Sequence, residues 1–196
     1  MGDPRRLKKK YSRPMHPWQR ETIESERIVK TEYALKNKQE LWRMSSLLRG
    51  FKNQAKRLIA GTSAQSVTER DQLVKRLQRL GLLSSDAKLD NILSLTVKNV
   101  LDRRLQSIVH RRGLARSMKQ SRQFITHNHV AVASRKINAP SYLVLKHEEE
   151  NITFSPRSSL SNAEHPERSV KAKPVPVKAE MKVKTEPVQE VKKDGQ

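Results

Sequence analysis

The chain has 196 residues, with 41 Lys/Arg against 20 Asp/Glu and a formal net charge of +21. Such an excess opposes compaction unless counterions are released on a polyanion, which disfavours a small-molecule enzyme and makes nucleic acid the leading partner. There is no Cys, which excludes disulfides and thiolate zinc sites, and at 35% hydrophobic and 4% aromatic the core should be small and aliphatic.

Residues 1–20 carry Arg5, Arg6, Lys8, Lys9, Lys10, Arg13 and Arg20 against Asp3 alone, and Pro4, Pro14 and Pro17 interrupt any helix. No apolar run follows, so a signal peptide is not expected, nor is a membrane span, and the expected location is cytoplasmic. A solvated tail is the bland expectation here. The overall basicity favours an extended arm along nucleic acid, with Tyr11 and Trp18 available to stack.

Residues 21–97 have helical character. Between Glu21 and Ala60, pairs such as Leu41-Trp42 and Leu47-Leu48 do not form one stripe, so two or three helices are expected, with Trp42 in the core. Thr68-Glu69-Arg70-Asp71 looks like a helix start, and Leu73, Val74, Leu77 and Leu80 share a face that ends at Gly81.

Arg103 to His147 contains ten Lys/Arg and four His but no acid. Leu101, Leu105, Ile108 and Val109 predict a helix over 98–112, ended by Gly113. A second helix should follow Ser117, a good N-cap, and run to about Thr126. Val130 and Val132 suggest a strand, Ala133-Ser134 a turn, and Tyr142-Leu143-Val144 a last strand. Leu105, Ile108, Val109, Phe124 and Ile125 are assigned to core.

The fold class expected is therefore α+β. An arm (1–20) leads to a mostly helical domain (21–97), then a unit of two helices and a short antiparallel sheet (98–147). Residues 145–164 are expected near the helical domain. Residues 165–196 alternate Lys, Glu, Val and Pro, with eight Lys/Arg against five Asp/Glu, and read as a disordered tail.

Several motifs in order resemble the RNA-binding domain named after small-subunit ribosomal protein S-four. They are Leu101-Asp102-Arg103-Arg104-Leu105-Gln106, Arg122-Gln123, His127-x-His129-Val130 and Pro140-Ser141-Tyr142. Tyr33-Ala34-Leu35-Lys36-Asn37-Lys38-x-Glu40-Leu41-Trp42-Arg43 resembles the helical part of the archaeal branch of that family, as does Phe154 to Arg168 the segment after the domain. The resemblance covers about residues 3–168. Asn128 stands where the family usually has Gly, and so does Ser134 in the hairpin; Asn tolerates positive φ better than most residues.

The resemblance implies direct binding to 16S rRNA early in 30S assembly, beside ribosomal protein S-five, at a site affecting decoding accuracy. Arg103 and Arg104 are expected at the surface, facing phosphate, as are Lys119 and Arg122 on the second helix. Ser117 at its start could help hold a phosphate or simply cap. The other RNA-contact candidates are the basic arm, Arg43, Gln106, Gln123, His127, His129, Arg135 and Lys136.

A metal at His127 and His129 is disfavoured without further ligands, and no cofactor is expected. No Gly-rich phosphate loop, activated nucleophile or carboxylate pair is found, so catalysis is rejected. Two alternatives stay open. One is a free-standing RNA chaperone or assembly factor with the same domain; the other is a general polyanion or membrane-surface binder.

Overall fold

Residue spacing in the first half produces two long helices and a break between them. A computed structural model describes residues 9, 11–85, 87, 89–162 and 165–169. The candidates Arg5, Arg6, Lys8 and Lys10, and the expected tail beyond residue 169, lie outside the described residues. Helix α1 spans Arg20–Glu32 and α2 spans Lys38–Ala60. The chain turns between them at Ala34, whose φ of 46° is left-handed. Helix α2 buries Leu41, Met44, Leu48, Phe51, Ala55 and Leu58, alternating steps of three and four that hold one face inward.

Trp42, one position beyond Leu41, falls off that face. It is half-buried rather than core: its Nε1–H donates to Glu26 Oε1 at 2.7 Å, and its ring meets Tyr11 at 6.2 Å.

Helix α3 (Ala64–Arg79) starts earlier than Thr68 because Ser63 supplies the cap, its Oγ accepting from Ser66 N–H at 3.3 Å. Thr68 sits inside the helix and donates from Oγ1 to Gln65 O at 2.8 Å. The expected stop is found at Gly81, with φ of 67°. Short helices α4 (Asp90–Ser94) and α5 (Val97–Asp102) complete a core with Leu73, Leu77, Ile92, Val100 and Leu101.

The single helix expected over 98–112 is in fact two. Helix α5 ends at Asp102 and α6 (Leu105–Arg111) begins after an extended Arg104, with φ −73° and ψ 146°. The break lets the backbone pair with the segment expected as the last strand. Leu105 N–H donates to Tyr142 O at 2.8 Å and Val144 N–H to Arg103 O at 3.0 Å. Residues 142–144 thus make an isolated bridge, Arg104 with Leu143, and stay out of the sheet. Those hydrogen bonds replace the helical ones that a continuous helix would have made.

Helix α7 (Met118–Thr126) starts at Ser117 as expected, with Ser117 Oγ accepting from Gln120 N–H at 3.2 Å. It feeds a three-stranded antiparallel sheet of order β2-β1-β3, with β1 Val130–Val132, β2 Arg135–Lys136 and β3 Ile152–Phe154. Val132 faces Arg135 on one side and Ile152 on the other. The β1–β2 turn is a two-residue one with positive φ at both Ala133 (45°) and Ser134 (71°), a conformation that matches strand twist but strains non-glycine residues. Asn128 also adopts positive φ, at 61°.

A second core gathers Leu105, Ile108, Val109, Phe124, Ile125, Val130, Val132 and Val144. Residues 145–164 divide. Ile152 and Leu160 join this second core, whereas the 3₁₀ turn Lys146–Glu148 packs against α3.

Candidate nucleic-acid interface

The acid-free stretch holds two populations of polar side chains, and only one faces water. Arg104 is 1% exposed and Arg103 8%, so neither is the surface residue that the sequence suggested. Arg104 Nη2 meets Glu40 Oε2 at 2.6 Å, and Glu40 Oε1 lies 2.7 Å from Arg122 Nη2. Burial alone would raise the Glu40 carboxyl, but hydrogen bonds and charge from Arg122 and Arg104 outweigh it and hold the group below the usual carboxylate range. Burial also lowers Arg104, against the pull of Glu40, yet a guanidinium so far above neutrality stays charged. One carboxylate from the first turn of α2 therefore joins α7 and the α5–α6 junction.

Arg103 is held on the other side of that junction. Its Nη1 pairs with Glu149 Oε2 at 2.6 Å, its Nη2 donates to Val144 O at 3.1 Å, and its guanidinium lies against Gly81. Gln106, 1% exposed, donates from Nε2 to Met118 O at 2.8 Å and Tyr33 O at 3.3 Å. Tyr33 in turn donates its hydroxyl to Asp102 Oδ1 at 2.9 Å. Arg103, Arg104, Gln106 and the half-buried Arg122 thus tie the two cores together, which corrects their assignment as outward-facing residues. Glu40 and Glu149 lie outside the acid-free stretch, so no local pattern could have paired them.

The second population points outward. On α7, Lys119, Gln123 and His127 recur at four-residue spacing and are exposed, opposite buried Ser121, Phe124 and Ile125. Arg135 and Lys136 are exposed at the hairpin, and Ser117 is exposed at the start of α7 while capping it. Lys119, Arg135 and Lys136 have no carboxylate partner among the described residues. Such unpaired cations cost no ion pair when a phosphate approaches.

His129 is partly buried: its Nδ1 lies 2.7 Å from Ser158 Oγ, and its ring stacks 6.2 Å from His127. Burial first, then the charges of His127 and His165, push its pKa down. Near neutral pH it is therefore a neutral hydrogen-bonding ring, not a cation. Gln123, His127, His129, His165, Ser159 and Glu167 line a small cavity of about 220 Å³ with Phe124 and Leu160. His165 was not singled out by the sequence, because it lies beyond the acid-free stretch.

Away from these elements, Lys9 and Arg13 are exposed, and Tyr11 and Ser12 lie against α2. Arg43 is exposed, with its guanidinium 5.9 Å from the Tyr11 ring, and Ser12 bonds to Ser46 and Arg49. Arg43, Ser46 and Arg49 follow one another at helical spacing, so Tyr11 and Ser12 meet one stripe of the helix.

Residues 103–150 match the family model described as the S4 domain. The chain is 52% identical over 170 residues to the small ribosomal subunit protein uS4 of Methanococcus aeolicus, covering 86% of this chain and 96% of the relative. The uS4 protein of Thermoplasma acidophilum is 46% identical over 185 residues, 93% of each chain. That of Methanococcus maripaludis is 47% identical over 170 residues. The chain belongs to the uS4 family.

The uS4 family is one of ribosomal proteins, and the chain is not an enzyme. The S4-domain match begins at the buried Arg103 and stops two residues before β3, the strand that completes the sheet.

Proposed function

We propose that this chain is a structural constituent of the small ribosomal subunit that binds 16S rRNA directly and acts early in 30S assembly. The observation that carries the reading is the outward row of Lys119, Gln123 and His127 beside Arg135 and Lys136, on a scaffold matched by the S4 domain. These side chains reach phosphates and the shallow groove of folded RNA, where shape and backbone contacts dominate recognition. Lys9 and Arg13, exposed on either side of Tyr11 and Ser12, and Arg43 on α2 extend the cationic surface. Membership of a ribosomal-protein family supports a place in the ribosome; its location in the cytoplasm, the neighbouring S-five protein and an influence on decoding accuracy are part of what we propose.

Binding to a 16S rRNA fragment and to a scrambled RNA of equal length, each across a salt series, tests this. The ribosomal fragment is expected to win by orders of magnitude at moderate salt. Two curves falling together with one slope would leave a general polyanion binder. Salt-resistant co-purification with 30S particles separates a resident protein from a free RNA chaperone.

A further inference from the structure

A second basic surface lies between α3 and the 3₁₀ turn and shares no residue with the outer face of α7. A cleft of about 640 Å³ is lined by Lys75, Gln78, Arg79, Lys146, His147 and Glu150, with Leu83 among its walls. Lys75, Gln78 and Arg79 lie three and four residues apart on α3, so they share a face. Lys146 and His147 come from the 3₁₀ turn on the opposite wall. Lys75, Arg79 and Lys146 are exposed and have no carboxylate partner among the described residues.

Both walls are held in place by hydrogen bonds. Gln78 Nε2 donates to Ser84 O at 3.2 Å and Ser85 O at 2.8 Å, which fixes the loop after α3. Arg112 Nη1 donates to Glu149 O at 2.5 Å, Glu150 O at 2.9 Å and Ile152 O at 3.1 Å, which fixes the turn. Arg103 adds its pair with Glu149. Buried Arg103, half-buried Gln78 and exposed Arg112 thus hold the two walls that carry three cations facing an open cleft, where mutual repulsion favours an anion between them.

We propose that this cleft is a separate seat for the phosphate backbone of RNA, gripped from both units at once. The proposal rests on the RNA-binding reading above. The volume exceeds that of a single phosphate and admits a ribose with it. Among the described residues Glu150 is the one carboxylate in the lining; it disfavours a second phosphate at its own position and can accept from a ribose 2′-hydroxyl. A strand held here would span α3 and the S4-domain turn, so it would report on their relative position.

The absence of cysteine makes a direct test available. Ser85→Cys in the cleft and, separately, Gln123→Cys on α7 would each carry a tethered iron cleavage reagent, on the full chain bound to a 16S rRNA fragment. Cleavage from both positions, at different nucleotides, is expected. In parallel, a Lys75→Ala, Arg79→Ala, Lys146→Ala variant should weaken binding at moderate salt by tenfold or more. It should also lower the slope of log affinity against log salt by about two to three, since each lost phosphate contact removes roughly 0.7–0.9. Cleavage from position 123 alone, with an unchanged slope in the triple variant, overturns the cleft and leaves the RNA reading standing. Silence from both positions, with no preference over scrambled RNA, overturns both.

Discussion

Arg104 and Lys119 lie fifteen residues apart in the same acid-free stretch, and their surroundings are opposite. Arg104 is enclosed between the two cores and meets Glu40 at 2.6 Å; Lys119 is exposed and has no carboxylate partner among the described residues. The same contrast separates Arg103, paired with Glu149, from Arg135 and Lys136 on the hairpin. A stretch without acids is therefore not a stretch without acid partners. Carboxylates arrive from far along the chain, and the cations they claim hold the fold while the others remain for an external anion.

The largest test of that division is Glu40→Ala, which strands the buried Arg104 charge. It is expected to cost about 3–5 kcal/mol in urea unfolding, the range for breaking a buried pair. Arg104→Met should cost clearly less, because it removes the charge and leaves Glu40 to Arg122. An Arg103→Ala, Arg104→Ala double variant should likewise lose stability and helical circular dichroism; unchanged unfolding would return both residues to the surface.

The same carboxylate predicts a pH dependence. Glu40 has a lower pKa folded than unfolded, so the unfolded chain binds the proton more readily as the solution is acidified. The stability it contributes is complete above the ordinary carboxylate pKa and disappears as pH falls through the depressed folded value. A series of unfolding midpoints should show that acid limb, and Glu40→Gln should flatten it. A limb of equal size in Glu40→Gln would assign the effect elsewhere.

Gly81→Ala comes next, at about 1–2 kcal/mol from left-handed backbone alone. More is expected from contact, because a Cβ there would lie 2.9 Å from Arg103 Cζ. Thermal unfolding reads it, and Arg103→Ala in the same background should relieve the part due to contact. Ser117→Ala should cost about 1 kcal/mol through loss of the α7 cap.

Lys119→Ala and Lys136→Ala should have the smallest effect on folding, within about 0.5 kcal/mol. Each should nevertheless lower the salt slope of rRNA binding by roughly 0.7–0.9. A variant of either kind that unfolds without changing that slope would erase the distinction between inner and outer cations.

Legibility followed the range of the interactions involved. Capping by Ser117, the stop at Gly81 and the core positions Leu105, Ile108, Val109, Phe124 and Ile125 depend on neighbours within a turn or two, and the structure has them as read. The start of α3 was misplaced because Ser63 and Thr68 are both acceptable caps, and local chemistry does not rank them. The helix break at 103–104 was not legible, since it exists to pair with residues 142–144 some forty positions on. Strand β3 was missed for a related reason: Ile152-Thr153-Phe154 is too short to signal by itself and forms only against β1.

The sequence by itself determined a basic α+β protein with an apolar periodicity that sets each helix face, and its motifs were sufficient to indicate the family. Those properties depend on composition and on spacing within a few residues. Only the tertiary structure decided which arginines are walled in and which are free, because a guanidinium becomes structural or available according to whether a distant carboxylate is brought within about 3 Å of it. Glu40 and Glu149 are those carboxylates, and the packing of α2 and of the turn after residue 145 against the junction put them there.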